Sequence, residues 1–371
     1  MKEKIPVGIL GATGMVGQQY IRLLSDHPWF RVAYVAASPQ SAGKKYKDAL
    51  RSGWVVAGEM PEDVAQLTLR DVADVKRAVG ECELVFSAFE MPDKESIRKT
   101  EDLYAAAGIP VFSNASAHRH TPDVPMLIAE INPGHLNIIL QQQKARGWKK
   151  GLPAGRQGFI VVKPNCSLQS YLTPLYALIR AGYEIDTVAV TTMQAVSGAG
   201  YPGVSSLDII DNVVPFIGGE EEKTEEEPLK ILGSIRAGKF APYKGLAISA
   251  HCNRVPVSDG HLACVNISFK KKKPSIKQIL DIWEKFKAEP QTLDLPSAPK
   301  QPIIYRDEPD RPQPKKDRDA DKSMAVSVGR LRTCPVFDYK FVALSHNTVR
   351  GAAGGGILNA ELALKKGYLS V

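Results

Sequence analysis

The sequence predicts an α/β fold, a doubly wound parallel sheet followed by an α+β domain built on a mostly antiparallel sheet. Three observations predict it. The first half alternates short apolar runs with stretches patterned at the helical period, a glycine loop joins the first run to the first helical pattern, and the second half changes to longer runs of mixed or alternating polarity. At 371 residues the chain has room for two cores, taking roughly 100 to 200 residues for each.

The first strand is PVGIL, residues 6–10, and it enters a loop whose glycines are Gly11, Gly14 and Gly17. The helix that follows carries Val16, Tyr20, Leu23 and Leu24 on one face, as period 3.6 requires. Further strands are expected at 31–37, 84–88, 110–113 and 159–162, separated by segments long enough for crossover helices, which makes the sheet parallel. Residues 186–196, 261–269, 324–332 and 337–345 supply the strands of the second domain, and a last helix at 354–366 follows the glycine-rich SHNTVRGAAGGG. Two stretches, 141–158 and 307–323, are rich in charge, Gly or Pro and read as loops. The expected division is 1–163 together with 346–371 as one domain and 164–345 as the other.

Composition narrows the class. Hydrophobic residues make up 44% and charged residues 24%, with no apolar stretch of the roughly 18 to 20 residues that a membrane span needs. The N-terminus lacks the apolar region and cleavage site of a signal peptide, so a cytoplasmic location is expected. Five cysteines with no CxxC pair suggest neither a disulfide framework nor a zinc site, and no metal is expected. The net charge of +8 has its densest run at Lys270 to Lys273, without interleaved aromatics or a nucleic-acid motif. That run reads as a solvated loop, and the basic excess fits anionic small substrates.

The loop Gly11-Ala12-Thr13-Gly14-Met15-Val16-Gly17 lies between the first strand and the first helix. In that context glycines permit a tight turn and let a pyrophosphate approach the helix N-terminus, the Rossmann-like arrangement, although GxxGxxG departs from GxGxxG. The second strand ends in AASPQSAGKKYKD with no carboxylate at its tip to accept from a ribose 2′-hydroxyl. Ser38, Ser41, Lys44 and Lys45 offer hydroxyls and positive charge instead, which favours NADP over NAD.

KPNCSLQSYLTPLYAL places Cys166 after a strand and at the start of a helix whose apolar face carries Leu168, Leu172, Leu175 and Ile179. Backbone N–H groups and the helix dipole there are expected to lower the thiol pKa and make a nucleophile. A thiolate forming an acyl intermediate needs a proton donor and acceptor. Both His251 and His261 in SAHCNRVPVSDGHLACVNISF are candidates, the second opening an alternating strand.

The motifs GATGMVG, SNASAHR, PNCS, TTMQAVSGAGYPG, GGEEEK, CNRVPVSDGH and SHNTVRGAAGGG, in this order from about residue 5 to 369, resemble those of the aspartate-semialdehyde dehydrogenase family of archaeal and fungal type. The resemblance implies Cys166 as nucleophile, Gln194 as the residue holding the reacting carbonyl, and His261 as acid/base. It implies a substrate clamp of Arg254 for the α-carboxylate, Glu220 for the α-amino group, and Arg119 with Lys223 for phosphate. Glu221, Glu222 and Glu225 are left as a solvated helix start. Cofactor contacts are implied at Thr13, Gly14, Met15, Val16, Ser38, Ser41, Ser87, Ser197, Gly198 and Asn347. Leu168 stands where the family often has Thr, and the 141–158 stretch is a surface insertion by the same comparison. The family further implies that the last helix packs on the first domain, and that the second domain is catalytic and dimerises the chain into a homodimer or homotetramer.

The implied chemistry is an NADPH-dependent reduction of L-aspartyl 4-phosphate to L-aspartate 4-semialdehyde through a Cys166 thioester, on the route to lysine, threonine and methionine. Two other readings share features of the chain. A malonyl-CoA reductase would use the same fold and thioester, and a non-catalytic NADP-binding regulator would keep only the scaffold.

Overall fold

The computed structural model describes residues 3–50, 52–148 and 156–369. Its first sheet runs β3-β2-β1-β4-β5-β6, all parallel, from β1 (Ile5–Leu10), β2 (Phe30–Ala37), β3 (Arg70–Asp71), β4 (Leu84–Ser87), β5 (Val111–Ser113) and β6 (Ile160–Val162). The chain walks outward from β1 to β3 and resumes on the other side of β1 at β4. That reversal opens a crevice beyond the carboxyl ends of β1 and β4, where α/β sheets bind ligands. Helix α1 (Met15–Leu24) buries Tyr20, Ile21 and Leu24. Helix α2 (Lys94–Ala106) is the crossover from β4 to β5 and starts at Asp93, whose carboxylate accepts from the Ser96 N–H.

The expected loop at 141–158 is partly a helix. α3 (Ile139–Arg146) extends a turn begun at Pro133 and stops at Gly147, where φ is +70°. Its glutamines are structural: the Gln142 side chain donates to the Asp123 and Ile160 carbonyls and accepts from the Ile160 N–H. Residues 149–155 of that stretch lie outside the described residues.

The second sheet runs β10-β7-β11-β14-β13-β12, from β7 (Ile185–Gln194), β10 (Ala247–Arg254), β11 (His261–Phe269), β12 (Ile303–Arg306), β13 (Val326–Thr333) and β14 (Tyr339–Ser345). β8 (Ser234–Arg236) and β9 (Lys239–Ala241) form a separate hairpin. The inner pairs are antiparallel, and each outer pair, β10 with β7 and β12 with β13, is parallel. The sheet is therefore mixed. One face is covered by α4 (Leu168–Arg180), whose Leu168, Tyr171, Leu172, Leu175 and Leu178 are buried, and by the Trp283 side of α6 (Ile276–Lys285), whose indole donates to the Pro174 carbonyl. At the other edge of the sheet from α6, α5 (Glu220–Ile231) packs along β10.

The last helix, α7 (Gly354–Lys365), packs on the first sheet. Its Ile357, Leu358 and Leu362 share a core with Val7, Ile9, Phe30 and Phe86. Gly356 makes the approach possible, since a Cβ there would lie 1.9 Å from the Tyr20 hydroxyl. The 307–323 stretch is irregular apart from a single helical turn at Pro314–Asp317. It is ordered by the buried Asp317 carboxylate, which accepts from Arg311 Nε at 2.6 Å and faces Arg306 Nε at 3.0 Å.

Candidate active site

The second sheet gathers residues that are distant in sequence. β7 and β10 are parallel and in register at Gln194 and Arg254, so both end side by side. β11 is antiparallel to β7 and begins at that same end, where Leu262 pairs with Met193 and places His261 next to Gln194. β14 ends with Ser345 opposite His261, and the chain continues into Asn347. Cys166 arrives on the turn that leads from β6 of the first sheet into α4, with Ser167 as the residue before the helix.

Cys166 Sγ lies 3.3 Å from His261 Nε2. The Ala195 N–H donates to Nδ1 of the same ring at 3.1 Å. A neutral imidazole that accepts at Nδ1 carries its proton on Nε2, so His261 presents a donor to the sulfur. Burial first, and then the Arg254 and His346 charges, push this histidine down to about 3, so the ring stays neutral near pH 7. The expectation of a low thiol pKa is not met. Burial and then the Glu220 carboxylate push Cys166 up to about 11, and the opposing pull of Lys163, Arg119 and Arg254 is too small to reverse it. The helix N-terminus argument omitted desolvation and a neighbouring anion, and these win. Alkylation of Cys166 by iodoacetamide in the protein without substrate is therefore expected to rise tenfold per pH unit between pH 7 and about pH 10. A plateau near neutrality would show a thiol of lowered pKa.

Around the sulfur, the acidic helix α5 supplies more than its sequence suggested. Glu220 is buried and accepts from Asn165 Nδ2 at 2.8 Å on each oxygen, from Lys223 Nζ at 2.9 Å and from Gln194 Nε2 at 3.2 Å. Burial raises this carboxyl, but the Lys223 charge and these hydrogen bonds outweigh it and hold it below the ordinary glutamate value. Glu227, seven residues on and hence on the same face, is also buried. It accepts from Arg119 Nη1 at 2.9 Å and from the Asn165 N–H at 2.7 Å. Neither Glu227 nor Asn165 was singled out in the sequence, though the seven-residue spacing from Glu220 was a usable signal. Glu222 is exposed as expected, whereas Glu221 and Glu225 accept the backbone N–H groups of Cys252 and Ala250 at 3.0 Å each and so cover the open edge of β10. Lys163 was also missed. Burial is the main reason that its ammonium is pushed down to about 7, and it donates to the Pro164 carbonyl.

Arg254 is buried beside this group and donates from Nη1 to the Ala195 carbonyl at 2.9 Å. Gly198 lies directly over it: a Cβ at 198 would stand 2.6 Å from Arg254 Nη1 and 3.0 Å from His261 Cε1. Any larger residue would fill the space above both side chains. His251, the other candidate, is exposed on β10.

A cavity of about 370 Å³ runs from the glycine loop to the cysteine. Met15 and Val16 line one end, Cys166, Arg119, Glu220 and Lys223 the other, and Ser197, Gly198 and Asn347 the wall between. The loop residues fit a dinucleotide. Gly11 has φ +80° and a Cβ there would meet Ala88 O at 2.6 Å, while Gly14 precedes α1 with no side-chain cap on its N–H groups and only Gly11 O near its Cβ position, at 3.5 Å. Ser38 stands exposed at the end of β2 with Lys44 exposed nearby, while Ser41 is largely buried. Asn347 is held in place by donating to Ser197 Oγ at 2.8 Å and accepting from the Gly260 N–H at 2.8 Å.

Ser87 is an implied cofactor residue whose side chain the fold turns away. It is fully buried and donates to Glu101 Oε1 at 2.6 Å, as does Ser113. The two hydroxyls tie the ends of β4 and β5 to a buried carboxyl, and burial holds that carboxyl above its ordinary value. The cavity wall beyond β4 is formed by Ala88 and Phe89 instead.

Two family models match the chain: "Semialdehyde dehydrogenase, NAD binding domain" over residues 6–139 and "Semialdehyde dehydrogenase, dimerisation domain" over residues 173–350. Aspartate-semialdehyde dehydrogenase of Schizosaccharomyces pombe is 46% identical over 367 residues, covering 98% of this chain and 99% of the relative. That of Archaeoglobus fulgidus is 46% identical over 360 residues, covering 97% and 98% respectively. A crystal structure of aspartate semialdehyde dehydrogenase with NADP from Candida albicans is 40% identical, with a TM-score of 0.88 over 98% of this chain and 99% of that one. With domain models in the same order, relatives aligned end to end and a cysteine–histidine pair seated where the two sheets meet, the chain belongs to the aspartate-semialdehyde dehydrogenase family.

Proposed function

We propose that the chain catalyses the NADPH-dependent conversion of L-aspartyl 4-phosphate to L-aspartate 4-semialdehyde and phosphate through a thioester on Cys166, serving the synthesis of lysine, threonine and methionine. The observation that carries the proposal is the contact of Cys166 with His261, with two side chains of opposite charge close by: Glu220 lines the cavity that Cys166 lines, and Arg254 lies with His261 beneath Gly198. An α-amino acid offers an ammonium and a carboxylate on one carbon, and this pair matches both.

Arg254 takes the α-carboxylate in its guanidinium fork, and Glu220 takes the ammonium. Gln194, on the strand next to His261 and donating to Glu220, orients the reacting carbonyl. Cys166 attacks the acyl carbon, the C–O bond to phosphate breaks, and the thiol proton leaves with the phosphate, whose charge Arg119 and Lys223 absorb. When bound along the glycine loop, the cofactor supplies hydride to the thioester carbon. His261 Nε2–H hydrogen-bonds the sulfur as the C–S bond breaks and relays a solvent proton to it, so that the thiol is restored, the ring ends neutral and the aldehyde is released. The neutral, Nε2-protonated ring is suited to this step, because it is a donor before the bond breaks.

NADP is the cofactor on this reading, with Thr13, Gly14, Met15 and Val16 at the pyrophosphate, Ser38 and Ser41 at the 2′-phosphate, and Ser197, Gly198 and Asn347 along the cavity wall; at Ser87 only the backbone remains available. We assign residues 1–163 with 346–371 to cofactor binding and 164–345 to catalysis and dimerisation. The assembly is a homodimer or homotetramer in the cytoplasm. Exposed Leu207, Ile210 and Phe216 offer apolar surface for a second copy, and all five cysteines are unpaired. The test is the reverse reaction. Aspartate semialdehyde and NADP should yield NADPH only when inorganic phosphate is added, and NAD should serve at least about tenfold less efficiently, since the tip of β2 lacks a carboxylate. Formation of NADPH without phosphate would contradict the acyl-phosphate step.

A further inference from the structure

Both cations assigned to phosphate already hold protein partners. Arg119 donates from Nη1 to Glu227, from Nε to the Lys163 carbonyl at 3.1 Å and from Nη2 to the Asn114 carbonyl at 3.2 Å. Lys223 Nζ donates to Glu220 Oε1 at 2.9 Å, the same carboxylate that the amino acid's ammonium must reach. The difference between the two is mobility. Arg119 is fixed at three nitrogens to backbone and to a buried carboxylate, whereas Lys223 is a flexible four-carbon stem, partly exposed to the cavity and held at Glu220 alone among its recorded hydrogen bonds.

An ammonium arriving at Glu220 meets a carboxylate that is already neutralised. Two cations on one carboxylate in a partly dry site repel each other, and the site relieves that repulsion by releasing the one with room to move. Asn165 and Gln194 are neutral donors and have no such conflict. The cavity that Lys223 shares with Arg119 and Cys166 gives it a place to go, next to the phosphoryl group at the reacting end of the substrate.

On the reading that the substrate is an aspartyl acyl phosphate, we propose that Glu220 exchanges one ammonium for another: the substrate's α-ammonium displaces Lys223, and the freed Lys223 turns to the phosphate. The α-amino group is thus read twice, once by Glu220 and once through the charge of the phosphate subsite. Substrates that lack it leave Lys223 on Glu220 and the phosphate subsite one cation short. Linkage makes the effect reciprocal, so phosphate tightens the amino acid by the same factor that the amino acid tightens phosphate.

The distinguishing experiment titrates inorganic phosphate by ³¹P line broadening into the unmodified protein, Glu220→Gln, Lys223→Met and the double variant. Glu220→Gln removes the anion that holds Lys223 and is expected to tighten phosphate at least about fivefold, and Lys223→Met placed on top should abolish the gain. Unchanged or weaker phosphate binding in Glu220→Gln overturns the exchange. Should Glu220→Gln lack a cooperative unfolding transition, Cys166→Ala answers the same question: aspartate semialdehyde should tighten phosphate about fivefold or more and 4-oxobutanoate should not. Equal effects of the two aldehydes, or none from the amino acid, overturn it. If the unmodified protein forms NADPH from aspartate semialdehyde and phosphate while these phosphate affinities stay flat, the exchange fails and the assigned reaction stands. If no NADPH forms, the assigned reaction fails on its own.

Discussion

Cys166→Ala is expected to lower turnover by at least roughly 10⁴-fold while the protein stays folded, because every bond made to the acyl group runs through this sulfur. The folding half of the statement rests on packing. The Sγ makes its recorded hydrogen bond to His261, and the adjacent α4 is held by Leu168, Tyr171, Leu172 and Leu175, none of which the substitution touches. The loop itself is pinned from elsewhere, by Glu227 at the Asn165 N–H and by Asn165 Oδ1 at the Ser167 N–H and hydroxyl. Losing one sulfur from such a frame changes stability by about 1 kcal/mol or less. Circular dichroism and a thermal transition check the fold, and NADPH oxidation with aspartyl phosphate checks the activity. Activity within tenfold of the unmodified protein would mean that another group carries the acyl chain.

His261→Gln is expected to divide the reaction. The amide can still offer a hydrogen bond toward the sulfur but cannot transfer a proton, so phosphate release in the first turnover should persist while aldehyde release slows by roughly 10² to 10⁴-fold. Rapid-quench measurement of phosphate against NADPH oxidation separates the two steps. Equal loss of both would show that His261 removes the thiol proton, which its Nε2-protonated form, fixed by the Ala195 N–H, does not allow. The same geometry bears on pH. Because burial pushes His261 down to about 3, its charging contributes no acidic limb to kcat/KM between pH 5 and 8.

Much of this site could be read before the fold was known, and the reason is local. The glycine loop, PNCS and the start of β11 are short segments whose role depends on the turn or strand end they occupy, and the predicted strands fall within two residues of those observed. What escaped depends on contacts between distant segments. β10 was not recognised because its HCNR end is polar, and its polarity makes sense only once Arg254 is seen beside Gln194 across a parallel pair. The thiol pKa was misjudged in sign because desolvation and Glu220, 54 residues away in sequence, outweigh the helix end two residues on. Ser87 was carried over by motif position, but its side chain faces Glu101 on the neighbouring crossover helix. Glu221 and Glu225 looked solvated because the strand edge they cover had not been identified.

The substrate assignment turns on charge at one position. Aspartyl phosphate brings an ammonium to Glu220, whereas malonyl-CoA brings none, forgoes that charge-assisted contact and leaves Lys223 on the carboxylate, a loss that typically costs 2 kcal/mol or more, roughly thirtyfold. The most direct test is the ratio of kcat/KM for aspartyl phosphate to that for malonyl-CoA, each with NADPH and the unmodified protein. The account predicts a ratio of at least about thirty in favour of aspartyl phosphate, and a ratio favouring malonyl-CoA would contradict it.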